Sequence, residues 1–328
     1  VNRSFLKDKL PIAITASVLV ALILAAGMRF PNFLTLRVLA NLLSDNAFLG
    51  VVAVGLTFVI LTGGIDLSVG SMVGLSSIVA AKLIGTAHLH PLLALTVSLL
   101  LGAILGAAQG FLIARYGLPP FLVTLAGLFL CKGVALRISQ ESIQIDHPFF
   151  SAVTGWSLPL PGNASMTAPA LLFLLVFGVA IFIARQTRFG RTIYAIGGGA
   201  ASARLMGLNV RRTLVATYVL SSICAAFGGV LFALYTSSGN AVSGSGLELD
   251  AIAAVVIGGT LLSGGFGSVV GTLLGILTIG VVQTAITFEG TLSSWWTRIV
   301  IGALLLAFML VQKAIEAAAS RSGTANAH

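Results

Sequence analysis

Few residues in this chain have side chains that could do chemistry, and they sit in recognisable places. Asp66 and Ser68 follow the pair Gly63-Gly64 inside an otherwise apolar run, LTGGIDLSVGS. Glu248 and Asp250 open a second apolar run that ends in Gly264-Gly265, ELDAIAAVVIGGTLLSGGFGS. Glu289 stands shortly before Trp295-Trp296, and Arg185, Arg188, Arg191, Arg204, Arg211 and Arg212 crowd one stretch that holds no acid. A carboxylate at membrane depth costs about 2.5–3.5 kcal/mol on insertion scales, so Asp66 requires a partner or water. Two readings of its surroundings stay open. One is a hinge or pathway element at an interrupted helix; the other is a capped turn, with Asp66 or Ser68 bonding the free N–H groups of the next helix. A Trp pair at a span end, as at Trp295-Trp296, serves as an interfacial anchor.

Other chemistries find no residues to carry them. The chain has no G-x-x-x-x-G-K-[ST] phosphate loop, so by this signature it does not bind ATP itself. His88 and His90 form an H-x-H without further ligands, and Cys131 and Cys224 fall inside apolar runs. Neither a metal site nor a disulfide is expected from them. No Ser–His–acid pattern points to hydrolysis, so the chain reads as no enzyme and no cofactor is expected.

The elements that position these residues are membrane spans. Of 328 residues, 57% are hydrophobic and 8% charged, and apolar runs of eighteen or more recur, which is the composition of a polytopic membrane protein. The fold class expected is all-α and polytopic, with about ten transmembrane helices, some of them interrupted by Gly-Gly. Spans are placed at about 10–28, 39–61, 69–84, 91–114, 119–138, 167–184, 214–235, 248–262, 269–288 and 292–312. The net charge of +9 lies mostly at span ends, which fits membrane orientation and no nucleic acid. The arginine-rich stretch 185–212 reads as the main cytoplasmic loop, which with Lys7, Lys9, Arg115, Lys313 and Arg321 places both termini in the cytoplasm. One domain, 1–328, is expected, with the longest outer segment at 138–167.

Two finer patterns bear on packing. Gly102, Gly106 and Gly110 form a doubled GxxxG, supported by Gly70/Gly74 and Gly271/Gly275; small residues at this spacing let helices approach closely in lipid. Inside the basic loop, Gly197-Gly198-Gly199 precedes an Ala-rich segment that Gly207 closes, which predicts a helix of about two turns. So short a helix needs outside support, and Leu205, Met206 and Leu208 offer it an apolar face. Asp45 to Leu61-Thr62-Gly63-Gly64 is answered by Asp250 to Leu262-Ser263-Gly264-Gly265. Such a repeat of helix, break and helix is a common transporter arrangement.

The runs GGIDLSVGS, FGRTIYAIGGGAASARLMGLNV and ELDAIAAVVIGGTLLSGGFGS closely resemble the membrane permease subunits of ribose-type sugar ABC importers, in order and spacing across nearly the whole chain. In finer detail SDNAFLGVVAVGLTFVILTGGIDLSVGS and EGTLSSWWT look most like a permease of a galactofuranose importer. The resemblance implies a subunit that encloses a sugar pathway with a second permease, identical or related and by the galactofuranose likeness a different chain. It also implies a periplasmic sugar-binding protein as donor and a cytoplasmic ATP-binding subunit as motor, in the bacterial inner membrane. Residues 185–213 would then be the coupling loop, with Gly197, Gly198, Gly199, Ala203, Arg204, Leu205, Met206 and Gly207 seated in the ATPase, and 138–167 a periplasmic loop. Asn46, Gly63, Gly64, Asp66, Gly264 and Gly265 would flank the pathway, with Glu289, Trp295 and Trp296 as candidate substrate contacts. An ion-coupled secondary carrier is the alternative; a polytopic enzyme acting on lipid-linked sugars would need an acid, His or metal cluster that the sequence lacks.

Overall fold

The computed structural model describes residues 3–293 and 295–324, with side chains from residue 11 to 311 (except 294) and at 313. The basic side chains of the two termini used above for orientation, Lys7, Lys9 and Arg321, lie outside the described ones. The chain is helical: α1 (Arg3–Arg29), α2 (Leu36–Asp45), α3 (Ala47–Leu61), α4 (Ser68–Ala81, prolonged by a π-turn over Lys82–Thr86), α5 (Pro91–Tyr116) and α6 (Pro120–Ile138) come first. Two-residue β1 (Ile143–Gln144), α7 (Pro148–Gly155) and the hairpin of β2 (Ser157–Leu160) with β3 (Ala164–Thr167) fill the segment expected as a long loop. Then follow α8 (Ala168–Gln186), α9 (Arg188–Gly198), α10 (Ala200–Leu205), α11 (Val210–Thr236), β4 (Ser238–Gly239), which pairs antiparallel with β1, α12 (Leu247–Ile257), α13 (Val269–Glu289) and α14 (Trp295–Thr324).

Seven of the described helices are long and apolar enough to cross a membrane, or eight if α2 and α3, bent by 59°, count as one span. The expected spans meet three differences. The run at 39–61 is broken at Asn46, whose side-chain amide donates to Leu42 O at 2.9 Å and bends the chain there. The span expected at 248–262 is a helix of only 11 residues that stops at Ile257, about 17 Å long and so about half a bilayer core. The basic loop at 185–212 is largely helical, because Thr187 caps α9 by accepting from Gly190 N at 3.1 Å.

The core is α3 and α4, buried along nearly every residue; helices apolar all round belong inside. Around them, α1, α5, α6 and α8 keep an apolar face outward. The glycine spacings do what small residues do in lipid. A Cβ on Gly106 would stand 2.5 Å from Tyr218 O and 2.7 Å from Val219 Cα, and one on Gly102 2.6 Å from Ser222 O, so α5 lies backbone to backbone on α11. Gly74 admits Ala241 O to α4, and Gly271 and Gly275 admit α12 to α13. A Gly106→Leu chain is therefore expected to yield several-fold less monodisperse protein on detergent extraction, since the two atoms it meets first are main chain. A yield like that of the unaltered chain would show the α5–α11 seam to be loose.

Candidate functional site

At one end of the bundle three glycine segments, far apart in sequence, meet. The helix α3 ends at Leu61. Gly63, with φ +80°, turns the chain, and Gly63 N and Gly64 N bond back to Ile60 O at 2.8 Å and Val59 O at 3.1 Å, a glycine helix stop. On the other break, Gly264 and Gly265 have φ of +84° and +75°, and Gly265 N donates to Leu61 O at 2.9 Å, joining the two breaks directly. The third partner is α9. A Cβ on Gly197 would overlap Leu61 O and Gly265 N, and one on Gly265 would stand 2.8 Å from Gly198 N. Tyr194 seals the contact by donating its hydroxyl to Gly267 O at 3.0 Å. Burial pushes this phenol above its ordinary range against a smaller pull from Arg185, so it keeps the donated proton. The two breaks and the glycine run, read in sequence as separate features, form one junction of main chain.

From this junction α10 projects. Gly199 joins it to α9, Ala203 is buried against Ile196 and Val210, and Leu208 N closes on Ala203 O at 3.1 Å. The predicted two-turn helix is thus present and braced at its base. Its tip is bare: Leu205 is 91% exposed and Met206 67%. Arg204 is exposed beside them and Gly207, φ +79°, ends the helix.

Behind the junction Asp66 is fully buried. Its Oδ1 accepts from Ser68 N at 3.0 Å and Ser68 Oγ at 2.6 Å, and its Oδ2 accepts from Ser221 Oγ at 2.9 Å. The carboxylate thus holds the first N–H of α4 and also ties the break to α11. No cation pairs with it: among the described residues the ion pair found is Arg29–Glu289 at 3.3 Å. Thr124 Oγ1 donates to Ile65 O at 3.2 Å, and Gln109 Oε1 lies 3.3 Å from Ser68 Oγ. Tyr218, whose hydroxyl occupies the space a Cβ on Gly64 would need, and Ser221, three residues on along α11, escaped the sequence reading; their spacing in a glycine-facing helix is the signal that locates them.

Towards the opposite end, α12, α13 and α14 enclose a cavity of about 550 Å³ lined by Asp250, Gln283, Thr287, Thr297 and Arg298. This is the polar chemistry that suits a hydroxylated solute. Glu289, Trp295 and Trp296 do not line it. Glu289 pairs with Arg29, Trp295 is 70% exposed, and Trp296 is 47% exposed at the start of α14. Asn46, buried at the α2–α3 bend, turns to its own helix and to Gly280. Among the described residues no group of His, Cys, Asp or Glu could hold a metal ion.

Apolar helices of spanning length, broken helices meeting at one end and a polar cavity towards the other define a multi-pass membrane protein of the transporter kind. The chain belongs to the family described as branched-chain amino acid transport system / permease component, which matches residues 38–309. It is similar to the inner membrane ABC transporter permease protein YjfF of Escherichia coli K12, 49% identical over 310 residues, 94% of either chain. It is also similar to the fructose import permease protein FruG of Bifidobacterium longum, 36% identical over 95% of this chain and 93% of FruG. The ribose import permease protein RbsC of E. coli K12 is 37% identical over 89% of this chain and 91% of RbsC. The protein is thus a permease component, multi-pass in the inner membrane.

Proposed function

We propose that this chain is the membrane-spanning subunit of an ATP-driven sugar importer, with a second permease beside it, a periplasmic sugar-binding protein as donor and a cytoplasmic ATP-binding subunit as motor. The observation that carries the reading is the seating of Gly197 and Gly198 on both helix breaks, from which α10 holds out Leu205 and Met206 uncovered. A motor that grips α10 acts through α9 on the ends of α3 and α12 at once. The sugar names of FruG and RbsC, together with the polar cavity, support a monosaccharide as cargo; the motif likeness favours galactofuranose or a related sugar. Residues 185–213 are then the coupling segment and 138–167 is periplasmic, and Glu289, Trp295 and Trp296, which lie outside the cavity lining, would meet the sugar before it reaches the cavity.

This reading assigns ten crossings, to α1, α2–α3, α4, α5, α6, α8, α11, the half-length α12, α13 and α14. It places both termini on the side of α10, which the packing of Pro11 against Gly259 beside the junction supports. The test is gentle-detergent purification of the tagged chain from its membranes, with mass spectrometry of what stays bound. An ATP-binding subunit, with or without a second permease, is expected. A chain that comes out alone and still carries sugar into liposomes on an ion gradient would instead be a secondary carrier. A Leu205→Asp chain is expected to lose most of the co-purified ATP-binding subunit and to insert normally, because a charge replaces an apolar anchor at the most exposed point of α10; full retention would remove α10 from the contact.

A further inference from the structure

Beside the junction, on the outer surface of the bundle, α5, α8, α9 and α11 leave a groove of about 720 Å³. Its walls are apolar, from Phe111, Ile183, Val215, Val219, Leu220 and Ile223, and its rim at this end carries Arg115, Arg211 and Arg212. All three arginines are exposed, and among the described residues none is ion-paired to an acid. Two of them stand in the first turn of α11, a helix of 27 residues, where the helix dipole is positive and a cation is unfavourable. The 185–212 stretch next to them holds no acid either. Arg115 joins them from the last turn of α5, and three like charges, two of them at a positive helix end, gathered over an apolar furrow call for an anion with a hydrocarbon body. Guanidinium groups take phosphate in paired hydrogen bonds, and basic pockets between helices at the membrane surface suit anionic headgroups.

We propose that this groove is a binding site for one anionic phospholipid, with its phosphate on Arg115, Arg211 and Arg212 and an acyl chain along Val215, Val219 and Ile223. The occupant follows from charge complementarity: a zwitterionic lipid brings no net negative charge to the three arginines, and a soluble anion leaves the apolar walls bare. The proposal rests on the chain being embedded in a membrane and is independent of the identity of its cargo or motor. Through Phe189, which lines the groove from α9, the bound lipid would brace the helix that carries the junction.

The test uses the full chain in detergent, delipidated and then titrated with phosphatidylglycerol or phosphatidylcholine, with bound lipid read by native mass spectrometry and thermal stability read in parallel. Phosphatidylglycerol is expected to bind once per chain and to raise the melting temperature, with phosphatidylcholine well behind. The Arg115→Gln/Arg211→Gln/Arg212→Gln chain is expected to bind phosphatidylglycerol about tenfold more weakly or worse. Ala216→Phe, which fills the groove and keeps every charge, is expected to weaken it too. Arg188→Gln/Arg191→Gln, outside the lining, serves as control and should bind normally. Equal loss in that control, undiminished binding in the triple variant or in Ala216→Phe, or equal stabilisation by inorganic phosphate would each overturn the site. So would a triple variant that keeps its lipid and instead loses the co-purified ATP-binding subunit, since the arginines would then be a protein contact.

Discussion

Replacing Gly197 by Val is expected to reduce sugar uptake about tenfold or more, the factor that corresponds to ~1.4 kcal/mol, while the chain still reaches the membrane in normal amount. The side chain would have to occupy the space of Leu61 O and Gly265 N. Neither can swing away as a flexible side chain would, because they bond to each other at 2.9 Å. Overpacking typically costs about 1–3 kcal/mol, and loss of the bond adds about 0.5–1.5 kcal/mol. Set against a total stability of about 5–15 kcal/mol for a folded domain, this leaves the chain folded with a displaced junction. Gly178 on α8 is the control: a Cβ there meets nothing within 4 Å, so Gly178→Ala is expected to transport like the unaltered chain. Uptake by whole cells, normalised to membrane content, decides. Normal uptake by Gly197→Val, or an equal loss in Gly178→Ala, would mean that the meeting of the three segments has no part in transport.

The second large effect is expected at Asp66. Its removal by Asp66→Ala strands Ser68 N and Ser221 Oγ and leaves Ser68 Oγ only the longer bond to Gln109 Oε1, in a fully buried place. A buried donor left without its partner costs about 1–3 kcal/mol. Even one such loss should lower the melting temperature in detergent by about 2–12 °C, at roughly 2–4 °C per kcal/mol for a larger domain. Asp66→Asn, which keeps one carbonyl acceptor, is expected to fall between. Ser221→Ala combined with Asp66→Ala should cost less than the sum of the two, because the same bond is lost once. Additive effects in that cycle would show that the Ser221 bond does not hold the break to α11.

Much of this was legible in the sequence, for identifiable reasons. Spans, glycine stops and the short helix before Gly207 are local signals: apolar length, backbone freedom and Ala content fix them within a few residues. The doubled GxxxG also reads directly, since α11 needs only a smooth furrow to approach α5. What the sequence could not show is which surfaces meet. Gly197 and Gly265 lie 68 residues apart, and nothing in either run names the other. Asp250 read as a repeat marker, and only the packing of α14 on α12 brings it to one cavity with Arg298. Trp295 and Trp296 carried an aromatic signal compatible with a sugar or an interface, and their exposure is set by where α14 begins.

The junction is made of carbonyls, amides and hydrogens on Cα, with almost no side chains of its own. On the function proposed above, cargo is addressed by side chains at the far end. Drive and selectivity would then be written in different alphabets, and one could be rewritten while the other stays untouched. Transplanting the cavity residues of a relative with another sugar should change what is carried without retuning the machine that carries it.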